Sequence, residues 1–172
     1  MAEKVATQST SKAKEDVSKR PFGQPRYDVS RLMPTFRGPH YEFVILLPVT
    51  EQEVGSKEEI HVFTDEDMSE LKKLFRDDFG GSTIPPNTQG PLVSGEWVEK
   101  KANRIVINEH ARCEVYSLPT TEALDYFVKL KAGLEKHARD VRRAPQEEIV
   151  IKQSEVSFVS KNGSNYGVRA NA

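Results

Sequence analysis

The sequence lacks the residue clusters that hold metals or disulfides. It contains a single cysteine, Cys113, so no disulfide can form within the chain and no group of thiolates can bind a metal. The histidines are not closely spaced, which argues against a zinc site; they are His40, His61, His110 and His137. We therefore expect neither a metal nor another cofactor.

Long apolar segments are also missing. The longest apolar run, residues 43–47, is far shorter than the roughly 18 residues of a membrane-spanning helix. The first ten residues contain no apolar stretch of the kind that a signal peptide has. Together with the single cysteine, which is typical of a reducing compartment, these features predict a cytoplasmic protein that does not contact membranes.

Charge is unevenly distributed along the chain. Residues 1–40 carry eight Lys or Arg against four Asp or Glu, and residues 161–172 carry two basic residues and no acidic one, which leaves the middle acidic. Residues 1–20 have no apolar face that could offset the loss of chain entropy on folding, and residues 21–40 contain four prolines. We predict a disordered to extended basic arm over 1–40, one folded domain over 41–160 and a disordered tail over 161–172.

The middle of the chain contains patterned segments in the order strand, helix, strand, strand, helix, strand. Hydrophobic periodicity predicts strands over 41–49, 96–99, 104–116 and 148–159, with a bulge near Gln153 or Ser154 where the apolar phase changes. The first helix is predicted to begin after an N-cap at Thr64 and to end at Gly80. The second starts at residue 120 or 121 and runs toward residue 142 or 143, with an inward face of Leu124, Phe127, Leu130 and Leu134.

Over residues 41–159 this order resembles the ferredoxin-like βαββαβ domains, including dimeric α+β barrel proteins and small regulatory ligand-binding modules. The helix ending in Phe79-Gly80-Gly81, with Trp97 in the next strand, also looks like small bacterial and archaeal proteins built on this plan. The resemblance implies an α+β fold with a four-stranded antiparallel sheet, order 4-1-3-2, and both helices on one face. It assigns no catalytic residue. The second face would need cover from a partner, a ligand or the N-terminal arm.

The third predicted strand holds the densest acid–base chemistry. Alternation places Asn108, His110, Arg112 and Glu114 on one face, where a histidine flanked by charges could bind an anion or relay a proton. The same pattern also fits an ordinary polar outer face. Glu109 falls on the face that is otherwise apolar, where desolvation would raise its pKa as in a general acid or base, unless a local bulge lets it reach water.

Two aromatic residues complete the candidate site. Trp97 and Tyr116 could stack on a ring-shaped ligand, although a tryptophan in a strand is more often part of a core or an interface. The Pro- and Gly-rich segment 82–95 is long for a connection and could act as a lid.

Three functions remain open from the sequence. The first is a non-enzymatic interaction or assembly module that forms a homodimer or larger homo-oligomer through the sheet face or the arm, or binds another protein. The second is a small-ligand-binding protein or enzyme whose pocket uses Glu109, His110 and Arg112. The third is nucleic-acid contact through the basic arm. A concave pocket around those three residues would favour the second function, and a flat apolar face would favour the first.

Overall fold

A computed structural model describes residues 20–27, 38–146, 148–159 and 165–166. The strands are β1 (His40–Glu53), β2 (Glu59–His61), β3 (Val93–Glu99), β4 (Arg104–Ser117), β5 (Val150–Val156), β6 (Phe158–Val159) and β7 (Asn165–Tyr166). The helices are α1 (Asp65–Phe79) and α2 (Thr121–Asp140), and a 3₁₀ turn covers Pro21–Gly23. Residues 1–19 and 28–37 of the predicted arm, and most of the predicted disordered tail from residue 161, lie outside the described residues.

Two helices and one antiparallel sheet of five strands make an α+β fold, which confirms the predicted class. The central strand β1 pairs with β4 on one side, and on the other side its first half pairs with β5 and its second half with β2. Strand β3 flanks β4. The sheet therefore has one strand more than the four predicted. Strand β2 was missed because its three residues are all exposed and carry no hydrophobic periodicity.

Strand β1 is longer than predicted and carries the sheet's irregularity. Its register against β4 shifts between Pro48 and Thr50, and proline inside a strand is common at such bulges because it cannot donate to the ladder. The bulge predicted near Gln153 or Ser154 is wrong, since β5 pairs with β1 without interruption. Ile151 and Val156 instead lie on opposite faces of the same regular strand, paired with Ile45 and His40, and Phe158 belongs to β6.

Helix α1 begins where the sequence predicts. The Thr64 side chain accepts a hydrogen bond from the Asp67 backbone N–H, and the Asp67 carboxylate accepts one from the Thr64 N–H. This capping box satisfies donors that the first turn leaves unpaired. The helix ends at Gly80, whose φ of 84° is left-handed and favours glycine.

Helix α2 ends two to three residues earlier than predicted and differs from its prediction in one inward residue. It starts at Thr121 and ends at Asp140, and Leu124 is 37% exposed rather than buried. Tyr126 and Phe127 take the inward positions of that turn. The core lies between the helices and one sheet face; its largest fully buried aliphatic side chains are Ile45, Leu47, Met68, Leu71, Leu130, Leu134 and Ile149.

Residues 20–27 pack against the two helices. The Arg20 guanidinium donates to both carboxylate oxygens of Asp78 on α1, at 2.8 and 2.7 Å. Tyr27 is buried and stacks on the Phe79 ring with 4.6 Å between ring centroids. This part of the predicted arm is docked within the same chain, against the helices rather than across the free face of the sheet.

Candidate functional site

The sheet face turned away from the helices, here called the open face, carries the candidate site. The bulge in β1 decides which residues lie on it. Before the bulge, Pro48 lies opposite His110, and after it Glu51 lies opposite Asn108. Directly paired residues of antiparallel strands share a face. The bulge therefore moves Glu51, an odd-numbered residue, onto the open face with the even-numbered residues of β4.

A buried carboxylate and a guanidinium anchor one end of this face. Arg104 contacts Glu51 at 2.8 Å and Glu53 at 3.6 Å, and its Nε donates to Glu99 of β3. The hydrogen bond to Glu99 raises the pKa of Arg104, and the charges of Glu51 and Glu53 raise it further. Burial lowers this pKa only in part. The Arg104 guanidinium thus lies within 4.0 Å of three carboxylates.

Two amide side chains extend the network from Glu51. Gln146 Nε2 donates to Glu51 Oε2 at 2.9 Å and to the Ala144 carbonyl at 3.3 Å. Asn108 Nδ2 donates to the Thr50 carbonyl at 3.3 Å and to Gln146 Oε1 at 3.4 Å. Because each amide has a backbone partner as well as a side-chain partner, the network holds both side chains in one orientation.

A cavity of about 260 Å³ lies beside this network. Its walls combine apolar side chains with polar groups, and the lining residues are Glu51, Trp97, Val98, Glu99, Lys100, Val106, Asn108, His110, Gln146, Glu148 and Val150. These residues come from β1, β3, β4, β5 and the connections next to them. The volume approaches the lower end of the range found for small-molecule sites.

His110 is a buried, neutral histidine in the cavity wall. Its Nδ1 lies 3.2 Å from the Val93 carbonyl oxygen, and because a carbonyl can only accept, Nδ1 carries the proton. Burial lowers the pKa of His110 more than the charge of Glu109 and the hydrogen bonds with the backbone of Val93 and Asn108 raise it. The ring is therefore neutral at about pH 7, and Nε2 keeps its lone pair as a hydrogen-bond acceptor.

Trp97 owes its position to a glycine on its own strand. A Cβ atom at Gly95 would lie 2.8 Å from the indole Nε1, so the indole occupies the space that a side chain at Gly95 would fill. Its ring meets the His110 ring at a centroid distance of 5.9 Å and an angle of 77°. The side chain is still 41% exposed and so presents ring surface to the cavity.

Three of the predicted site residues come together in the cavity: Asn108, His110 and Trp97. Their convergence follows from the register, because Trp97 pairs with Val106 and Val93 pairs with His110. Whether any of the three contacts a ligand stays a prediction.

The other predicted site residues lie elsewhere. Glu109 is half-buried on the opposite sheet face. Arg112 is exposed and pairs with Glu114 at 2.7 Å, and the Tyr116 hydroxyl donates to Glu42 at 3.5 Å. The structure therefore does not bring Glu109, His110 and Arg112 into one pocket.

Several lining residues escaped the sequence analysis: Glu51, Lys100, Gln146, Glu148 and Val150. Gln146 and Glu148 lie in the connection between α2 and β5, which has no hydrophobic periodicity. Only Pro48, a proline in an otherwise apolar strand, signalled a bulge that could redirect Glu51.

The segment suggested as a lid does not border the cavity. The Thr83 backbone pairs with Glu114 at the sheet edge, and the Thr88 N–H donates to Asp65 on α1 at 2.6 Å. Ile84 and Leu92 pack against the core. The segment is thus fixed on the helix side of the sheet.

A second, more open depression of about 370 Å³ borders the start of α1. Beside it, the buried Asp67 carboxylate accepts from Arg142 at 2.7 and 2.9 Å and from His137 at 2.8 Å. Burial alone would raise the pKa of Asp67. The hydrogen bonds from Arg142 and the Thr64 N–H, together with the charges of His137 and Arg142, outweigh burial, so the pKa lies below its usual value. Its partners are all within the protein, so this cluster ties α2 to the α1 cap.

Metal ligands are not grouped in the described segments: no set of three or more His, Cys, Asp or Glu side chains there could hold an ion. In the same part of the chain, neither helix is long and apolar enough to cross a membrane.

No protein-family model, curated protein or solved structure matches the chain.

Proposed function

We propose that the protein binds a small organic ligand in the cavity on the open face, without converting it chemically. One observation supports this proposal. A single cavity of about 260 Å³ is lined by the only tryptophan of the sequence, Trp97, by the buried neutral His110 and by the oriented amides of Asn108 and Gln146. Apolar walls with a few fixed polar groups are typical of small-molecule sites.

The polar groups are held before any ligand arrives. Asn108 and Gln146 each bond a backbone carbonyl, and His110 is tethered to the Val93 carbonyl. Groups that are fixed in advance lose little conformational freedom on binding, which favours affinity. Val106 and Val150 add apolar wall surface.

Binding is favoured over catalysis because the expected catalytic partners do not surround His110. Its Nδ1 bonds a backbone carbonyl rather than a carboxylate that could orient and stabilise an imidazolium. The Glu109 carboxyl lies on the opposite face. Cys113 is fully buried on the helix side, and burial raises the pKa of its thiol to about 12, so it does not serve as a nucleophile.

At the level of fold, the proposal is a ferredoxin-like domain with one added strand. Leaving β2 aside, the strands follow the spatial order β5-β1-β4-β3, which numbered along the chain is the order 4-1-3-2. Both helices pack against one face. Fold alone carries no function, so the ligand proposal rests on the cavity.

Native mass spectrometry of freshly isolated protein tests the ligand proposal. We expect an added mass that is lost in Val150→Phe, which fills the cavity, and is kept in Val128→Phe, a matched change at an exposed position of α2. A fragment screen that monitors Trp97 fluorescence complements it, because the chain has no other tryptophan. No retained mass and no fluorescence response to any fragment would refute the proposal.

Self-association is the second candidate function, and the exposed edge strand β3 favours it. In the part of the sheet that the structure describes, β3 is the outermost strand beyond β4. Val93, Trp97 and Val98 on it are 47%, 41% and 62% exposed. An unpaired edge with apolar side chains on both faces can add a strand from a second copy.

Sedimentation velocity tests this second candidate. We expect a dimer at tens of micromolar protein that Val98→Lys dissociates, because a charged side chain on an edge strand opposes pairing. Val128→Lys, at an exposed position of α2, is the matched control and should leave the dimer intact. A monomer in the parent protein would rule this candidate out.

Two further expectations stay predictions. Nucleic-acid contact through the basic arm concerns residues 1–40, and six of the eight basic residues of this arm lie in 1–19 and 28–37, outside the described residues. A cytoplasmic location rests on the composition of the sequence, above all on its single cysteine.

A further inference from the structure

We propose that the ligand of the open-face cavity is a cationic amine with an apolar or aromatic body. This inference rests on the proposed function and names the chemical class of ligand for the same cavity. It is carried by the charge around the cavity, by the exposed ring of Trp97 and by the surplus of hydrogen-bond acceptors in the wall.

Carboxylates outnumber cations at the cavity. Glu51, Glu99 and Glu148 line it, and Lys100 is the one ammonium among the described lining residues. The nearby Arg104 guanidinium is divided between Glu51, Glu99 and Glu53. Lys131 faces Glu148 at 2.6 Å but also Glu135 at 3.9 Å. The lining residues thus include more carboxylates than ammonium groups, and low-dielectric walls strengthen the attraction of these carboxylates for a cation.

Trp97 supplies a surface that cations favour. The face of an indole carries negative electrostatic potential and attracts an ammonium placed above it. The indole is held against the β3 backbone at Gly95, and His110 contacts it edge to face. It therefore needs no rearrangement to present its exposed surface.

The fixed polar groups of the wall favour a ligand that donates. The Asn108 and Gln146 amide nitrogens already donate within the protein. The acceptors that remain for a ligand are the amide oxygens of Asn108 and Gln146 and the Nε2 atom of His110, since the Nδ1 atom of His110 holds the proton. An ammonium has donors only, so it matches this set, whereas a carboxylate would meet acceptors and repulsion.

Three probes of similar size separate the effect of charge from that of shape. Benzylamine is a cation at neutral pH, benzyl alcohol is neutral and benzoate is an anion. Trp97 fluorescence, excited selectively, reports occupancy for all three because the chain has no other tryptophan. We expect benzylamine to bind about tenfold more tightly than benzyl alcohol, the ratio that one cation–π contact and one charge pair supply, and benzoate to bind most weakly.

Two charge variants and a control locate the effect. Glu148→Gln removes an exposed carboxylate from the rim and should reduce the preference for benzylamine several-fold, and Lys100→Gln removes the ammonium and should increase it. Glu70→Gln makes the same charge change as Glu148→Gln on an exposed face of α1 and should leave the preference unchanged.

The outcomes separate the two proposals. Benzylamine binding best, with opposite shifts in the two rim variants, supports the cationic ligand. Equal binding of the three probes, or strongest binding of benzoate, overturns the cationic ligand and leaves the binding cavity standing. No response of Trp97 to any probe, together with no retained mass in native mass spectrometry, overturns both.

Discussion

A Cβ atom at Gly133 would lie 2.1 Å from the carbonyl oxygen of Phe22. The docked segment 20–27 therefore touches the backbone of α2 where the helix has no side chain. Phe22 also meets the His137 ring edge to face, with 5.2 Å between ring centroids. The absence of a side chain at one helical position thus sets how closely the segment approaches the helix.

We expect Gly133→Ala to displace segment 20–27 while α2 stays folded. The new methyl group would collide with backbone, which cannot rotate away, yet alanine favours a helix interior over glycine by about 1 kcal/mol. Trypsin cleavage after Arg26 should accelerate several-fold, because the buried Tyr27 that follows becomes accessible. Ala132→Gly, at the exposed neighbouring position, is the control and should keep the site protected. Unchanged cleavage in Gly133→Ala would contradict the close approach.

Asp78→Asn should be strongly destabilising, by about 3–5 kcal/mol, because it leaves the Arg20 charge buried without its partner. The Asp78 side chain is 1% exposed and also accepts from the Tyr126 hydroxyl at 2.8 Å. Urea unfolding measures the loss. Asp77→Asn is the matched control, since Asp77 is half-exposed and its pairing with Arg76 is worth at most about 1 kcal/mol. Similar losses in both variants would show that the buried pair contributes little.

Asp67 should contribute to the loss of stability in acid. Despite burial, its hydrogen bonds and neighbouring charges lower its pKa in the folded protein. A carboxyl with a lowered folded pKa stabilises fully above its unfolded value of about 3.9, and this contribution disappears as the pH falls through the folded value. We expect the unfolding free energy of the parent to decrease more steeply below about pH 4 than that of Asp67→Asn.

Denaturation series from mildly acidic to strongly acidic pH measure these slopes. Asp125→Asn, an exposed change on α2, serves as the control and should keep the slope of the parent. A slope in Asp67→Asn equal to that of the parent would show that Asp67 titrates alike in the folded and unfolded states.

The Cys113 thiol should be unreactive in the folded protein. Burial raises its pKa to about 12, so at mildly alkaline pH it stays protonated, and it is also inaccessible to reagents. We expect a disulfide reagent to label no thiol in native protein and one thiol per chain in urea. Rapid labelling without denaturant would mean that the sheet opens locally around Cys113.

Gly95→Ala should move the Trp97 indole out of its place in the cavity wall. The added methyl group would lie 2.8 Å from the indole nitrogen, and the side chain, unlike the backbone, can rotate away. The tryptophan emission should shift toward longer wavelength as the ring meets more water, and any ligand that quenches it should bind more weakly. Ser94→Ala, on the neighbouring exposed residue of the other face, should change neither.

The parts of the fold that depend on neighbouring residues were predictable from the sequence. The N-cap at Thr64 and the end at Gly80 are set by side chains and backbone within a turn of the helix boundary. The alternation of Arg104–Ser117 reflects two faces with different neighbours, and it placed His110 and Asn108 on one face correctly. Local chemistry of this kind can be read without knowing what packs where.

The site was only partly predictable because it depends on distant pairings. Glu51 reaches the open face through a register shift in β1, and a shift depends on both strands of a pair. Its partner Arg104 is 53 positions away. The docking of Arg20 on Asp78 spans 58 positions. No periodicity within a single segment reports such contacts.

The position of β1 in the sequence also affects how the chain can fold while it is being synthesised. Strand β1 is completed early, but its neighbours β4 and β5 end at Ser117 and Val156. A chain emerging from the ribosome therefore presents the apolar residues of β1 without a partner until most of the domain has been translated. The Arg20–Asp78 pair likewise lacks the hydrogen bond from the Tyr126 hydroxyl until Tyr126 has been translated. The sheet can therefore be completed only after β5 has been translated, and a nascent chain that stalls before β5 would expose a strand prone to aggregation.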